Sequence, residues 1–154
     1  MIKRFSQFTA VFLLILLTIN WWGCAKKEPE YITIGSILPL TGEGSQYGDA
    51  CKKGIDLAIE EINQTGGING KKIRVIYEDD QLKAGPGTQA MNKLVSVDKV
   101  KVVLGAVASS VTLAIAPIAN QNKVVLFSSV STSHDVTDAG DYIFRNVASD
   151  IYDG

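Results

Sequence analysis

The chain has 154 residues, 46% of them hydrophobic and 20% charged, which fits one packed domain and excludes a disordered polymer. Basic side chains number 15 against 16 acidic ones, so no whole-chain basic field points to nucleic acid as a partner. Two Cys and one His are too few for a four-ligand zinc centre or a disulfide-rich scaffold, and neither a metal nor a cofactor is expected.

Residues 1–23 read as an export signal rather than as part of the fold. Lys3 and Arg4 precede an apolar centre, Phe12-Leu13-Leu14-Ile15-Leu16-Leu17, and the run ends at Gly23-Cys24. The apolar stretch, residues 8–22, is shorter than the roughly 20 residues that a membrane-spanning helix needs. Gly23-Cys24 resembles the lipobox of bacterial lipoproteins, although Trp21 and Trp22 stand where that motif has an aliphatic and a small residue. The resemblance implies lipidation of Cys24, a membrane attachment through that lipid, and an extracytoplasmic location. Residues 24–30 then read as a polar tether. The other cysteine, Cys51, falls at helical spacing with Ile55, Ala58, Ile59 and Ile62, the pattern of a buried, inert thiol.

From residue 31 the chain alternates strand and helix patterns. Residues 31–38 predict a strand, 39–46 a polar loop and 47–63 an amphipathic helix closed by Gly66-Gly67 and a turn at Gly70. Residues 72–77 predict a second strand, followed by Glu78-Asp79-Asp80 as a solvated strand exit. After Lys83-Ala84-Gly85-Pro86-Gly87 a helix is expected over 88–97. A third strand over 100–104, a third helix over 110–121, a fourth strand over 123–127, a polar loop over 128–138 and a short strand over 142–146 complete the order.

Such alternation with short connections predicts an α/β fold, a parallel sheet with helices on both faces. The runs Val102-Val103-Leu104 and Val124-Val125-Leu126-Phe127 are apolar throughout, as strands covered on both sides are. In such folds ligands bind outside the carboxyl ends of the strands, so the loops after strands one, three and four carry the site.

The first of these loops holds Gly42-Glu43-Gly44-Ser45-Gln46-Tyr47-Gly48, one residue too long for the dinucleotide fingerprint. The run Gly66 to Lys71 runs from helix to strand and lacks a hydroxyl after its Lys, so it is a helix stop rather than a phosphate loop. In the loop after strand three, Ser109 or Ser110 is suited to cap the following helix, whose free amides favour an anion such as a carboxylate. After strand four, Ser128, Ser129, Ser131, Thr132 and Ser133 place five hydroxyls in six positions. Neutral donors and acceptors of this kind orient a small zwitterion. Hydrolysis is not indicated, since His134 follows the serine run directly and no G-x-S-x-G elbow is present.

Residues 31–152 resemble the amino-terminal part of the substrate-binding proteins of branched-chain amino-acid ABC transporters, the Leu/Ile/Val type of periplasmic binding protein. The resemblance is carried by Ile34-Gly35, Pro39-Leu40-Thr41-Gly42 and Gln46-Tyr47-Gly48. It continues through Gly54 to Gly70, Val75-Ile76-Tyr77-Glu78-Asp79-Asp80, Val103 to Ser110 and Phe144-Arg145. It implies that Tyr47 lines the ligand cleft and that Ser109, with neighbouring amides including that of Ser110, holds a carboxylate. It further implies that the backbone of Val130 and Ser131 faces the ligand and that Thr132 contacts its charged end. Val130 is bulkier than the Ala usual there. Gln81 and Ala108 are not Cys, so a disulfide that some members carry between those loops is absent.

Members of that family run to about twice this length or more, with two lobes closing on the solute. Residues 31–154 therefore read as an incomplete first lobe, the second being absent. The implied function is to capture a branched-chain amino acid or similar small polar solute for membrane permease subunits, without covalent chemistry. The alternatives are a sensor ectodomain of the same fold and a non-functional truncated product.

Overall fold

Two runs of β-forming residues, Tyr31–Leu38 (β1) and Lys72–Asp79 (β2), pair in parallel along their full length, from Tyr31 opposite Lys72 to Leu38 opposite Asp79. They belong to a computed structural model that describes residues 31–152. The expected export signal over 1–23, Cys24 and the tether over 24–30 lie outside the described residues. Val102–Gly105 (β3) pairs with the other edge of β1, Val125–Ser128 (β4) with β3, and Ile143–Arg145 (β5) with β4. The sheet is wholly parallel, in the order β2-β1-β3-β4-β5.

The connections between strands one to four are Ser45–Gln64 (α1), Ala84–Ser96 (α2) and Ser109–Asn122 (α3). At the end of α1 the amide of Gly67 donates to the Ile62 carbonyl at 2.9 Å, a turn that needs the positive φ of Gly66 and Gly67. The Asn63 side chain then clips that end to β2, donating to the Ile73 carbonyl at 2.9 Å and accepting from its amide at 2.7 Å.

Helices α2 and α3 pack on one another and on one face of the sheet. The core lies there. Met91 and Leu94 from α2, Val111 and Ile115 from α3, and Ile37, Val103 and Leu126 from the strands are all fully buried. Each such aliphatic side chain contributes about 1.5–3 kcal/mol by leaving water. The alternate strand residues Leu104 and Phe127 face the other way and are only half-buried. They line an open cleft of about 550 Å³ shared with Cys51, Ile55 and Ile59 of α1. The sheet thus carries helices on both faces, but on the α1 side β3 and β4 are incompletely covered, contrary to the double covering read from their apolar runs. Cys51 is accordingly half-buried rather than buried, and partial burial pushes its thiol above the ordinary range.

Three local expectations are corrected. Helix α2 starts at Ala84, not near residue 88. Pro86 sits in its first turn, where a missing N–H costs nothing. Gly87 lets α2 approach α3, since a Cβ there would fall 2.5 Å from Val111. The third strand begins at Val102 because Val100 closes a turn onto the Leu94 carbonyl at 3.1 Å. The acidic triplet is not a solvated exit: Glu78 and Asp79 lie within β2, and Asp80 is 0% exposed.

Candidate functional site

The rim formed by the carboxyl ends of β1, β3 and β4 gathers the residues singled out from the sequence. Helix α3 begins after Ala108, which is its N-cap in extended conformation and supplies no side-chain cap. This corrects the expectation that Ser109 or Ser110 caps the helix. The first amides of α3 with backbone acceptors are those of Val111 and Thr112, both donating to Ala108 at 3.0 Å. Those of Ser109 and Ser110 precede them, with no acceptor inside the helix and the partial positive charge of its N-terminus. The Ser109 hydroxyl turns instead to the neighbouring loop and accepts the Ser133 amide at 3.2 Å.

The loop after β4 is built on two buried serines. Ser128 donates its hydroxyl to the Ala106 carbonyl at 2.8 Å and accepts the amides of Ser131 at 3.0 Å and Val130 at 3.3 Å. Ser131 reaches the same carbonyl at 3.1 Å, and its oxygen lies 2.7 Å from the Thr112 hydroxyl. Two of the five hydroxyls in this run are therefore interior ties between the β3 and β4 loops rather than free groups. Such ties satisfy polar atoms that would otherwise be costly to bury.

The remaining residues sit outward. Thr132 is half-buried, and its carbonyl accepts the Asp150 amide at 3.0 Å. Ser110 is exposed on the first turn of α3, and Val130 is 36% exposed beside the apolar cleft. Tyr47 is 57% exposed in the first turn of α1. Next to it Gly48 is buried against β1's exit; a Cβ on Gly48 would fall 2.1 Å from the Pro39 carbonyl oxygen. The structure joins Ser109, Ser131 and Thr132 through the two loops, whereas Tyr47, across the rim on the β1 side, makes no hydrogen bond to them. His134 is exposed at the start of a one-turn 3-10 helix (His134–Val136), and the Ser109 and Ser131 hydroxyls are engaged elsewhere.

Two charged residues that carried no role in the sequence reading brace these loops. The Asp79 carboxylate accepts the amides of Leu40 at 2.8 Å, Thr41 at 3.3 Å and Gln81 at 2.9 Å, together with the Thr41 hydroxyl. Burial pushes this carboxyl up, but the Thr41 hydroxyl and the three amides outweigh it and hold it below the ordinary range. The adjacent Asp80 goes the other way. Burial and the charge of Asp79 raise it, against the Leu82 amide that its Oδ1 accepts at 2.7 Å. From β5, Arg145 donates Nη1 to the carbonyls of Ser133 at 2.8 Å, Thr132 at 3.0 Å and Ser131 at 3.4 Å. Its Nη2 donates to the Thr137 hydroxyl at 2.6 Å. Apart from the Gln81 amide on Asp79, the contacts that identify these roles are distant in sequence, so no local pattern pointed to them.

Among the described residues no helix is long and apolar enough to cross a membrane, and no group of three or more His, Cys, Asp or Glu side chains is placed to hold a metal. What the rim offers is a set of main-chain donors, hydroxyls and an apolar flank, chemistry suited to holding a small solute.

Comparison with known proteins agrees. Residues 31–151 match the model of the periplasmic binding protein family. Leu/Ile/Val-binding protein homolog 3 of Brucella melitensis is 37% identical over 129 residues, covering 83% of this chain and 35% of that one. Among solved structures, the branched-chain amino acid transporter substrate-binding protein LivJ of Streptococcus pneumoniae, in complex with isoleucine, superposes with a TM-score of 0.76 at 34% identity. That match covers 79% of this chain and 35% of LivJ. A solute-binding protein of an ABC transporter from Rhodopseudomonas palustris, in complex with 3,4-dihydroxybenzoic acid, gives a TM-score of 0.72 at 29% identity, over 77% of this chain and 32% of that one. The chain thus spans about a third of the length of the relatives it matches. It belongs to the periplasmic binding protein family, and within that family it is similar to members named for leucine, isoleucine and valine.

Proposed function

We propose that residues 31–152 form one wall of a solute cleft in an extracytoplasmic binding protein that delivers its cargo to the membrane permease of an ABC transporter. The observation that carries this is the joining of the β3 and β4 loops at one rim, through the Ser133 amide on the Ser109 hydroxyl. It leaves the first-turn amides of α3 beside the half-buried Thr132. Ser109, Ser110 and Thr132 would receive a carboxylate, the group that isoleucine and 3,4-dihydroxybenzoic acid in the relatives have in common. Tyr47 and Val130 would flank the rest of the solute, and the backbone of Ser131 would serve by holding the loop. The site performs capture and no covalent step. A branched-chain amino acid is the favoured cargo, since the relatives named for leucine, isoleucine and valine support it.

Export by the signal over residues 1–23 and attachment through a lipid on Cys24 belong to the same proposal, supported by Gly23-Cys24 at the end of the apolar run. Calorimetry with isoleucine, leucine, valine and 3,4-dihydroxybenzoate tests the capture reading. One wall supplies only part of the enclosing contacts, so saturable binding weaker than about 1 μM is expected. Sub-micromolar affinity would contradict the single wall. The absence of saturable binding of all four solutes at about 10 mM would contradict capture itself.

A further inference from the structure

Arg145 stands out among the charged side chains of the described residues. It is in no ion pair there, unlike Lys52, which pairs with Asp56, and Lys93, which pairs with Glu78 and Asp98. Its guanidinium is spent instead on three successive carbonyls, those of Ser131, Thr132 and Ser133, and on the Thr137 hydroxyl. A planar fork of donors suits that task, because one rigid group can fix several acceptors at once. The side chain is itself placed by the sheet: Arg145 pairs with Ser128 across β4 and β5, and the Asn146 amide donates to the Ser128 carbonyl at 3.4 Å.

We infer that Arg145 is the positioning residue of the candidate site, holding the 131–133 loop so that Thr132 meets the solute. This rests on the capture reading above and adds to it a residue that need not touch the solute. The carbonyl of Thr132 is held by two donors, Arg145 and the Asp150 amide. Its hydroxyl makes no hydrogen bond among the described residues and stays available at the rim. The Ser133 carbonyl is held by Arg145 while the Ser133 amide is held by Ser109. Arg145 therefore acts through the same short segment that links the two loops.

The test compares the purified protein with its R145M and R145K forms. Amide hydrogen exchange is read without solute, and isoleucine affinity is read separately. In R145M, exchange at Ser133 and Asp150 should speed up by about tenfold or more while Met91, Leu94 and Val103 stay protected, and affinity should fall by about tenfold. R145K keeps the charge but not the fork and should lie between the two. If R145M does not fold, R145K alone decides, since its core protection should match that of the parent while its loop exchange and affinity do not. Unchanged affinity with faster loop exchange would overturn the inference and leave the capture reading standing. Unchanged exchange would overturn it as well. A parent protein that binds no solute would instead overturn the capture reading, and the inference with it, a failure visible before any variant is made.

Discussion

The hydroxyl oxygens of Ser131 and Thr112 lie 2.7 Å apart, both fully buried, and stitch the loop after β4 to the first turn of α3. The bond closes no catalytic arrangement; it keeps two loops in fixed relation. Removing Ser131 leaves Thr112 only a long contact to the Ala106 carbonyl at 3.5 Å, and removing Thr112 leaves Ser131 its bond to that carbonyl at 3.1 Å; each lost bond between buried groups costs about 1–3 kcal/mol. S131A and T112V should each lower stability by about that amount. The double variant should lose less than the two single losses added, because they share one interaction. Urea unfolding midpoints measure this. Full additivity would mean that the two hydroxyls do not act on one another.

Two glycines of α1 should respond in opposite directions. Gly48 lies where a Cβ would come within 2.1 Å of the Pro39 carbonyl oxygen, so G48A forces the helix start or the β1 exit to move. A loss of about 1–3 kcal/mol is expected, together with displacement of the neighbouring Tyr47. Gly54 has nothing within 4 Å of an added Cβ, so G54A should stabilise by about 0.5–1 kcal/mol through helix propensity. Thermal unfolding of both variants checks the contrast. A neutral G48A would show that the β1–α1 crossing is looser than its geometry implies.

The paired acids at the end of β2 should give opposite pH signatures. The Asp79 carboxyl is held below its ordinary value, so its contribution to stability is complete above the unfolded value near 3.9 and is lost as pH falls through the folded value. D79N should be less stable than the parent at neutral pH, and the gap should close in acid. Asp80 is raised, so the folded state holds its proton more tightly than the unfolded one does. Its contribution is present below about 3.9 and is lost as pH rises through the folded value. D80N should therefore compare better with the parent at neutral pH than in acid. Urea midpoints between about pH 3 and 7 measure both slopes. Parallel slopes for the two variants would contradict the bonding described here.

The fold was legible wherever periodicity is local. The apolar runs at Val102-Val103-Leu104 and Val124-Val125-Leu126-Phe127 placed β3 and β4, and the rule of strand ends pointed to Ser109 and Thr132 before any contact was known. Pro86 misdirected the start of α2, because a proline in the first helical turn looks like a break until the turn is seen. The apolar runs also overstated covering. A strand residue such as Phe127 is apolar whether the face it presents is closed or open. The bracing roles of Asp79 and Arg145 were not legible. Asp79 works on a loop 38 and 39 residues earlier in the chain, and Arg145 on carbonyls, which are the same in every sequence. The inward turn of Ser131 was hidden for a related reason, since a serine run reads alike whether its hydroxyls point to a solute or to the interior.

An amide NMR titration with isoleucine tests the central claim most directly. The account predicts shifts that saturate together and cluster at residues 109–112 and 130–133, with Tyr47 as an outlying responder. Shifts confined to the opposite end of the sheet, around Lys72, Lys101 and Lys123, would contradict it.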